Sequence, residues 1–83
     1  MSDMEGTLRM MASGRWAVCR RGQEPVASGE LFRVEVDGAS DLLVTRMESS
    51  IVPTRHGFWR AVYYSVDGYP LRDGLRAAIG EQG

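Results

Sequence analysis

Cys19 and His56 are the only cysteine and the only histidine of the chain, so nucleophilic chemistry would have to start from them. A thiol becomes a working nucleophile beside a base that takes its proton, with a third group to orient that base. The two residues lie 37 positions apart, and no spacing motif ties either to a carboxylate. Cys19 falls in the strand-like run "RWAVCR", where a lone cysteine acts as a small apolar filler. His56 lies in "PTRHGF", a loop-like stretch that makes it a solvated turn residue. A zinc site would still need two carboxylates, and none stands at a recognisable spacing. Phosphate-cradling glycine loops and the HExxH pattern are absent too. The expectation is a protein that is not an enzyme and holds no metal and no cofactor.

Paired carboxylates are the next candidates for acid–base work. Glu35 and Asp37 are two apart in an alternating run, so they share one strand face and repel each other. Arg33 beside them, with Arg46 and Glu48 further on, points instead to cross-strand ion pairs on a solvated face. Each such pair is worth roughly 0.2–1 kcal/mol.

The strongest signal is "GFWRAVYYSV" at 57–66, which holds four of the seven aromatic residues. As a strand it puts Phe58, Val62, Tyr64 and Val66 on one face, read as the core face. Trp59, Ala61 and Tyr63 then point the other way. All ten basic residues are arginine, and Arg9, Arg15, Arg20, Arg21, Arg55 and Arg60 fall on or beside the first, second and fifth expected strands. Arginine makes planar, bidentate contacts to carboxylate and phosphate. Trp59, Tyr63, Arg60, Arg15, Arg20, Arg21 and Arg55 are therefore the candidate binding surface.

These residues sit on a chain of 83 residues with a net charge of −1, long enough for one domain with a thin core. The near-neutral balance argues against a general nucleic-acid or membrane binder. A single cysteine rules out an intrachain disulfide, the usual staple of a small secreted domain. No apolar run reaches signal-peptide or membrane-span length. A bacterial-type cytoplasm is the expected compartment. The expected organisation is a loose N-terminus at 1–5, one β domain at 6–80 and a loose C-terminus at 81–83.

Short alternating runs separated by Ser-Gly, Asp-Gly and Pro signals have the rhythm of an antiparallel β protein. A strand around Leu8 and Met10 turns at "ASG" into a second at 15–20, with Trp16 and Val18 on one side. Residues 21–30 read as a loop containing Pro25. "ELFRVEVDG" at 30–38 is the clearest half-buried strand, with Phe32, Val34 and Val36 inward. Asp37-Gly38 turns the chain into a fourth strand at 42–49, whose register is ambiguous because its start is apolar on both faces. "IVPTRHG" at 51–57 reads as a loop, since Pro53 cannot donate to a central ladder. The tail at 71–79 suits either a short helix or a sixth strand, and Gly74 tips it toward strand. The expected core is Leu8, Met10, Trp16, Val18, Phe32, Val34, Val36, Val62, Tyr64 and Ile79.

The order of "GTLR", "RWAV", "SGELFRVEVDG", "TRME", the aromatic strand after Gly57 and the closing "DGYPLRDGLRAAI" resembles a bacterial family of very small all-β proteins of unknown function. Some members are encoded near mobile elements. The resemblance runs from about Gly6 to Ile79, and it implies a compact β fold ending in a strand without supplying an activity. The family's tryptophan between Gly38 and Thr45 is missing here, where the chain reads "ASDLLV".

Five or six short strands in so small a domain must curl to hide their edges. The fold class expected is therefore all-β and mainly antiparallel, a small five- to six-stranded, partly closed barrel of SH3-like or OB-like kind. The function expected is a non-catalytic adaptor or self-associating module that binds a protein partner or a second copy of itself. The alternative is a small barrel that binds single-stranded nucleic acid through its arginines and Trp59 and Tyr63.

Overall fold

The computed structural model describes residues 5–80. The expected loose ends at 1–4 and 81–83 lie outside the described residues, while Glu5 already begins the first strand. Seven strands follow: β1 (Glu5–Met10), β2 (Trp16–Cys19), β3 (Gln23–Pro25), β4 (Leu31–Val34), β5 (Leu43–Pro53), β6 (Trp59–Ser65) and β7 (Arg76–Ile79). They form one antiparallel sheet in the order β3-β2-β1-β7-β4-β5-β6. There is no helix among the described residues, so the tail resolves as strand.

The all-β, antiparallel expectation holds, and the closed outline does not. No ladder joins β6 to β3 or β2, so the sheet is open. It has seven strands rather than five or six because Gln23–Pro25, read as loop, pairs with β2. Pro25 is tolerated there because β3 is an edge strand, where a missing N–H costs no ladder bond. Three residues and a proline also blunt that edge against further pairing. The other edge, β6, is covered differently. The β1–β2 turn leans on it, with Trp16 Nε1 donating to the Tyr63 carbonyl at 3.2 Å. At Gly14, which has φ of 91°, a Cβ would stand only 4.0 Å from the Ala61 carbonyl oxygen.

Placing β7 at the centre explains its composition. Ala77 and Ala78 point to opposite faces and both are buried, because β1 and β4 flank the strand and both faces are covered. Alanine favours helix in isolation, but here the small side chain fits between crowded neighbours. Gly6 shows the same crowding on β1. A Cβ there would lie 2.5 Å from the Cys19 carbonyl oxygen.

Leu8, Trp16, Val18, Phe32 and Val34 are buried as expected, joined by Val26, Met47, Leu75 and Ala77. Val36 and Ile79 pack against this cluster from its margin. Met10 and Tyr64 were expected inside and are exposed, while Val62 is half-buried. For β6 the two faces are exchanged relative to expectation: Tyr63 packs on the core and Ser65 is buried, leaving Tyr64 outside. The reason is polar. Thr45 Oγ1 donates to Asp67 Oδ2 at 2.7 Å, so its lone pair receives the Ser65 hydroxyl, also at 2.7 Å. That network, with Met47 opposite Ser65, holds β6 with its odd-numbered residues inward although Val62 and Tyr64 stand in the even set.

Candidate functional site

β5 and β6 continue past the body of the sheet. β4 pairs with β5 only from Leu43 to Arg46, and the loop before β4 reaches no further than Ser49, whose hydroxyl donates to Ser28 at 3.3 Å. Beyond that point the two strands pair with each other alone, through Ser50–Val62, Ile51–Ala61, Val52–Arg60 and Pro53–Trp59. Thr54 N donates to the Phe58 carbonyl at 2.6 Å and closes the tip, and Gly57 takes the turn with φ of 83°. The molecule is accordingly elongated, 46 × 26 × 20 Å. Residues 51–53, read as loop, are strand. Pro53 is accommodated because β5 has no second neighbour at that height.

This arm carries the sheet's inner face out beyond the core. Ser49, Ile51 and Pro53 on β5 lie opposite Tyr63, Ala61 and Trp59 on β6, in the same alternation as buried Met47 and Ser65. None of the described residues covers the outer part of that face: Ile51 is 63% exposed and Trp59 67%. Phe58, at the tip, is 71% exposed.

The candidate binding residues divide into three places. Arg55 and Arg60 meet at the arm tip, where they line a hollow of about 490 Å³ with Val52, Pro53, Thr54 and His56. Arg60 also lines a trough of about 430 Å³ between β6 and the β1–β2 turn, with Met10, Met11, Gly14, Trp16 and Tyr63. Arg15 borders this second place, its guanidinium carbon 5.8 Å from the centroid of the Tyr63 ring. Its Nε is buried without a hydrogen-bond partner. Arg20 and Arg21 line a separate hollow at the β2–β3 turn, with Gly22, Gln23 and Glu24. Trp59 and Tyr63 do not form one exposed aromatic surface, because only Trp59 lies clear of the body. Sequence reasoning missed Ile51 and Pro53, whose place on the arm depends on a ladder that the proline seemed to forbid.

His56 sits at the arm tip, whereas Cys19 is half-buried in the body between Thr7 and Gln23. Among the described residues no three His, Cys, Asp or Glu side chains are grouped to hold a metal ion. Among the described residues the ion pairs expected from Arg33, Arg46 and Glu48 are not formed. Arg76 pairs with Glu5 at 3.4 Å and Arg72 with Asp37 at 3.7 Å, while Glu35 Oε1 accepts from the Arg76 amide at 2.9 Å. Arg33 lies on a strand paired on both sides, and its Nε and one terminal nitrogen are buried without partners. No helix among the described residues is long and apolar enough to cross a membrane. No protein-family model, curated protein or solved structure matches the chain.

Proposed function

We propose that this protein is a non-catalytic interaction module that engages a protein partner through the β5–β6 arm. The observation that carries the reading is the exposed continuation of the sheet's inner face at Ile51, Pro53 and Trp59. A domain of this length buries only about 60–65% of its chain surface and needs its large apolar side chains inside. Leaving three of them on a projecting ribbon makes physical sense if something else covers them. In the same reading the module works in a bacterial cytoplasm and belongs with the small all-β family that it resembles. The bond from Trp16 to Tyr63 supports reading the open sheet as one curled toward a partly closed barrel.

The test is a photoreactive residue placed at Ile51, at Trp59 or, as a control on the far edge, at Glu24. Discrete adducts from the two arm positions and none from Glu24 are expected in native cells. Equal or absent cross-linking from the arm positions would remove the reading.

A second reading, binding of single-stranded nucleic acid, is favoured by the charge of the arm. Residues 49–66 contain Arg55 and Arg60 and no acid, next to an exposed indole on which a base would stack. It requires an affinity that falls steeply with salt.

A further inference from the structure

Resting on the docking reading, we propose that the arm's partner is an acidic protein segment bearing bulky apolar side chains, received in the trough between β6 and the β1–β2 turn. The two walls of this trough come from two segments, 6–23 and 49–66. Neither contains a single Asp or Glu, and together they hold Arg9, Arg15, Arg20, Arg21, Arg55 and Arg60. The remaining segments therefore carry all eleven acids against four arginines. In space the acids come nearest at Glu24, in the Arg20–Arg21 hollow, and at Glu48, opposite Tyr64 on β6. Arg60 alternates onto the face opposite Trp59, and from the edge strand β6 it borders both the trough and the tip hollow, where Arg55 also lies. Arg15, beside the trough, holds a buried Nε donor with no hydrogen-bond partner among the described residues. The carboxylate of Asp73 reaches this side, and its Oδ1 already accepts from the Met10 amide at 2.7 Å.

The floor of the trough is apolar. Met10 and Met11 are unbranched and polarisable, which suits a groove that must close around side chains of differing shape. Ala61 leaves room beside them, and Ile51 and Trp59 continue the same face outward. The exposed rings do not make one platform for stacked bases: Trp59 lies on the inner face and Phe58 at the arm tip. Tyr63 is packed on the core under Arg15, and Tyr64 belongs to the opposite face. An isologous dimer through this surface would set the same arginines against each other across the two-fold axis. An anionic segment with apolar anchors answers both halves of the surface, with charge selecting the partner and the anchors holding it.

The test uses fluorescein-labelled peptides of ~10 residues, about a strand in length. In one, Asp alternates with Leu and Phe; in the others Ser or Arg replaces Asp, and an oligothymidylate serves as the nucleic-acid probe. Anisotropy is read at two salt concentrations. The acidic peptide alone is expected to bind, at least about tenfold more weakly to Arg60→Glu and to Trp59→Ala, with both variants keeping the parent unfolding midpoint. Equal binding of the Ser peptide, lost in Trp59→Ala, would overturn the acidic partner and leave the docking reading standing. Absence of binding by the acidic peptide would overturn the proposal, while the cross-linking from Ile51 and Trp59 judges the docking reading separately. Tighter binding of the oligothymidylate would overturn it in favour of nucleic acid. A dimer in sedimentation that Trp59→Ala dissolves would overturn it in favour of a second copy.

Discussion

Trp16 and Tyr63, 47 positions apart, are joined by a 3.2 Å hydrogen bond from the indole Nε1 to the main-chain carbonyl. It joins β2 directly to the edge strand β6, two strands that share no ladder. Trp16 thus does two things at once: it fills the core with its ring and holds the root of the arm with its N–H. Replacing it with phenylalanine keeps much of the first role and removes the second. Trp16→Phe is expected to lower unfolding free energy by about 1–3 kcal/mol, read from urea denaturation. Trp59 then becomes the sole tryptophan, and its fluorescence should stay that of a solvent-exposed indole in the folded protein. A blue-shifted emission would mean that Trp59 is covered in the free protein.

The outer arm behaves in the opposite way. Trp59→Ala and Ile51→Ser remove large apolar side chains that touch little of the body, so each is expected to change stability by no more than about 0.5 kcal/mol. The denaturation midpoint measures this. A loss of about 2 kcal/mol or more at Trp59 would make it a core residue.

Phe32 is fully buried at the centre of the core cluster. Truncation to alanine is expected to cost about 3–5 kcal/mol. A domain of this size has only about 5–10 kcal/mol in total. Phe32→Ala should therefore lose about a third or more of the total stability, visible as a much lower urea midpoint than that of the parent.

The Thr45–Ser65–Asp67 network is what sets the face of β6, and it can be taken apart by a double-mutant cycle. Thr45→Val leaves the buried Ser65 hydroxyl and Asp67 without their partner, at about 1–3 kcal/mol. Adding Ser65→Ala to that variant should cost less than Ser65→Ala alone, because the orphaned hydroxyl is then gone. Strict additivity in chemical denaturation would mean that the three groups act independently.

Gly6 tests the close approach of β1 to β2. A Cβ at this position would lie 2.5 Å from the Cys19 carbonyl oxygen and 2.6 Å from Arg20 Cγ. The side chain of Arg20 is able to move aside, but the carbonyl is part of the ladder. Gly6→Ala is expected to cost about 2 kcal/mol or more. Hydrogen exchange should show the loss first at the Thr7–Cys19 pair.

Local patterning determined the antiparallel β class, the hairpin turns at 12–14 and 37–38, and the inward set Leu8, Trp16, Val18, Phe32 and Val34. Those follow from alternation and turn chemistry, which act over a few residues. It also marked Arg55, Trp59 and Arg60 as surface candidates. The tertiary structure decided the rest. Only the sheet order put the C-terminal "RAAI" between β1 and β4, where packing on two faces overrides alanine's helical preference. Only the place where β4 ends made Pro53 a strand residue and Ile51 an exposed one. The face of β6 was beyond reach because alternation defines two faces and does not choose between them. That choice fell to the bonds of Ser65 and Asp67 with Thr45, more than 19 positions away.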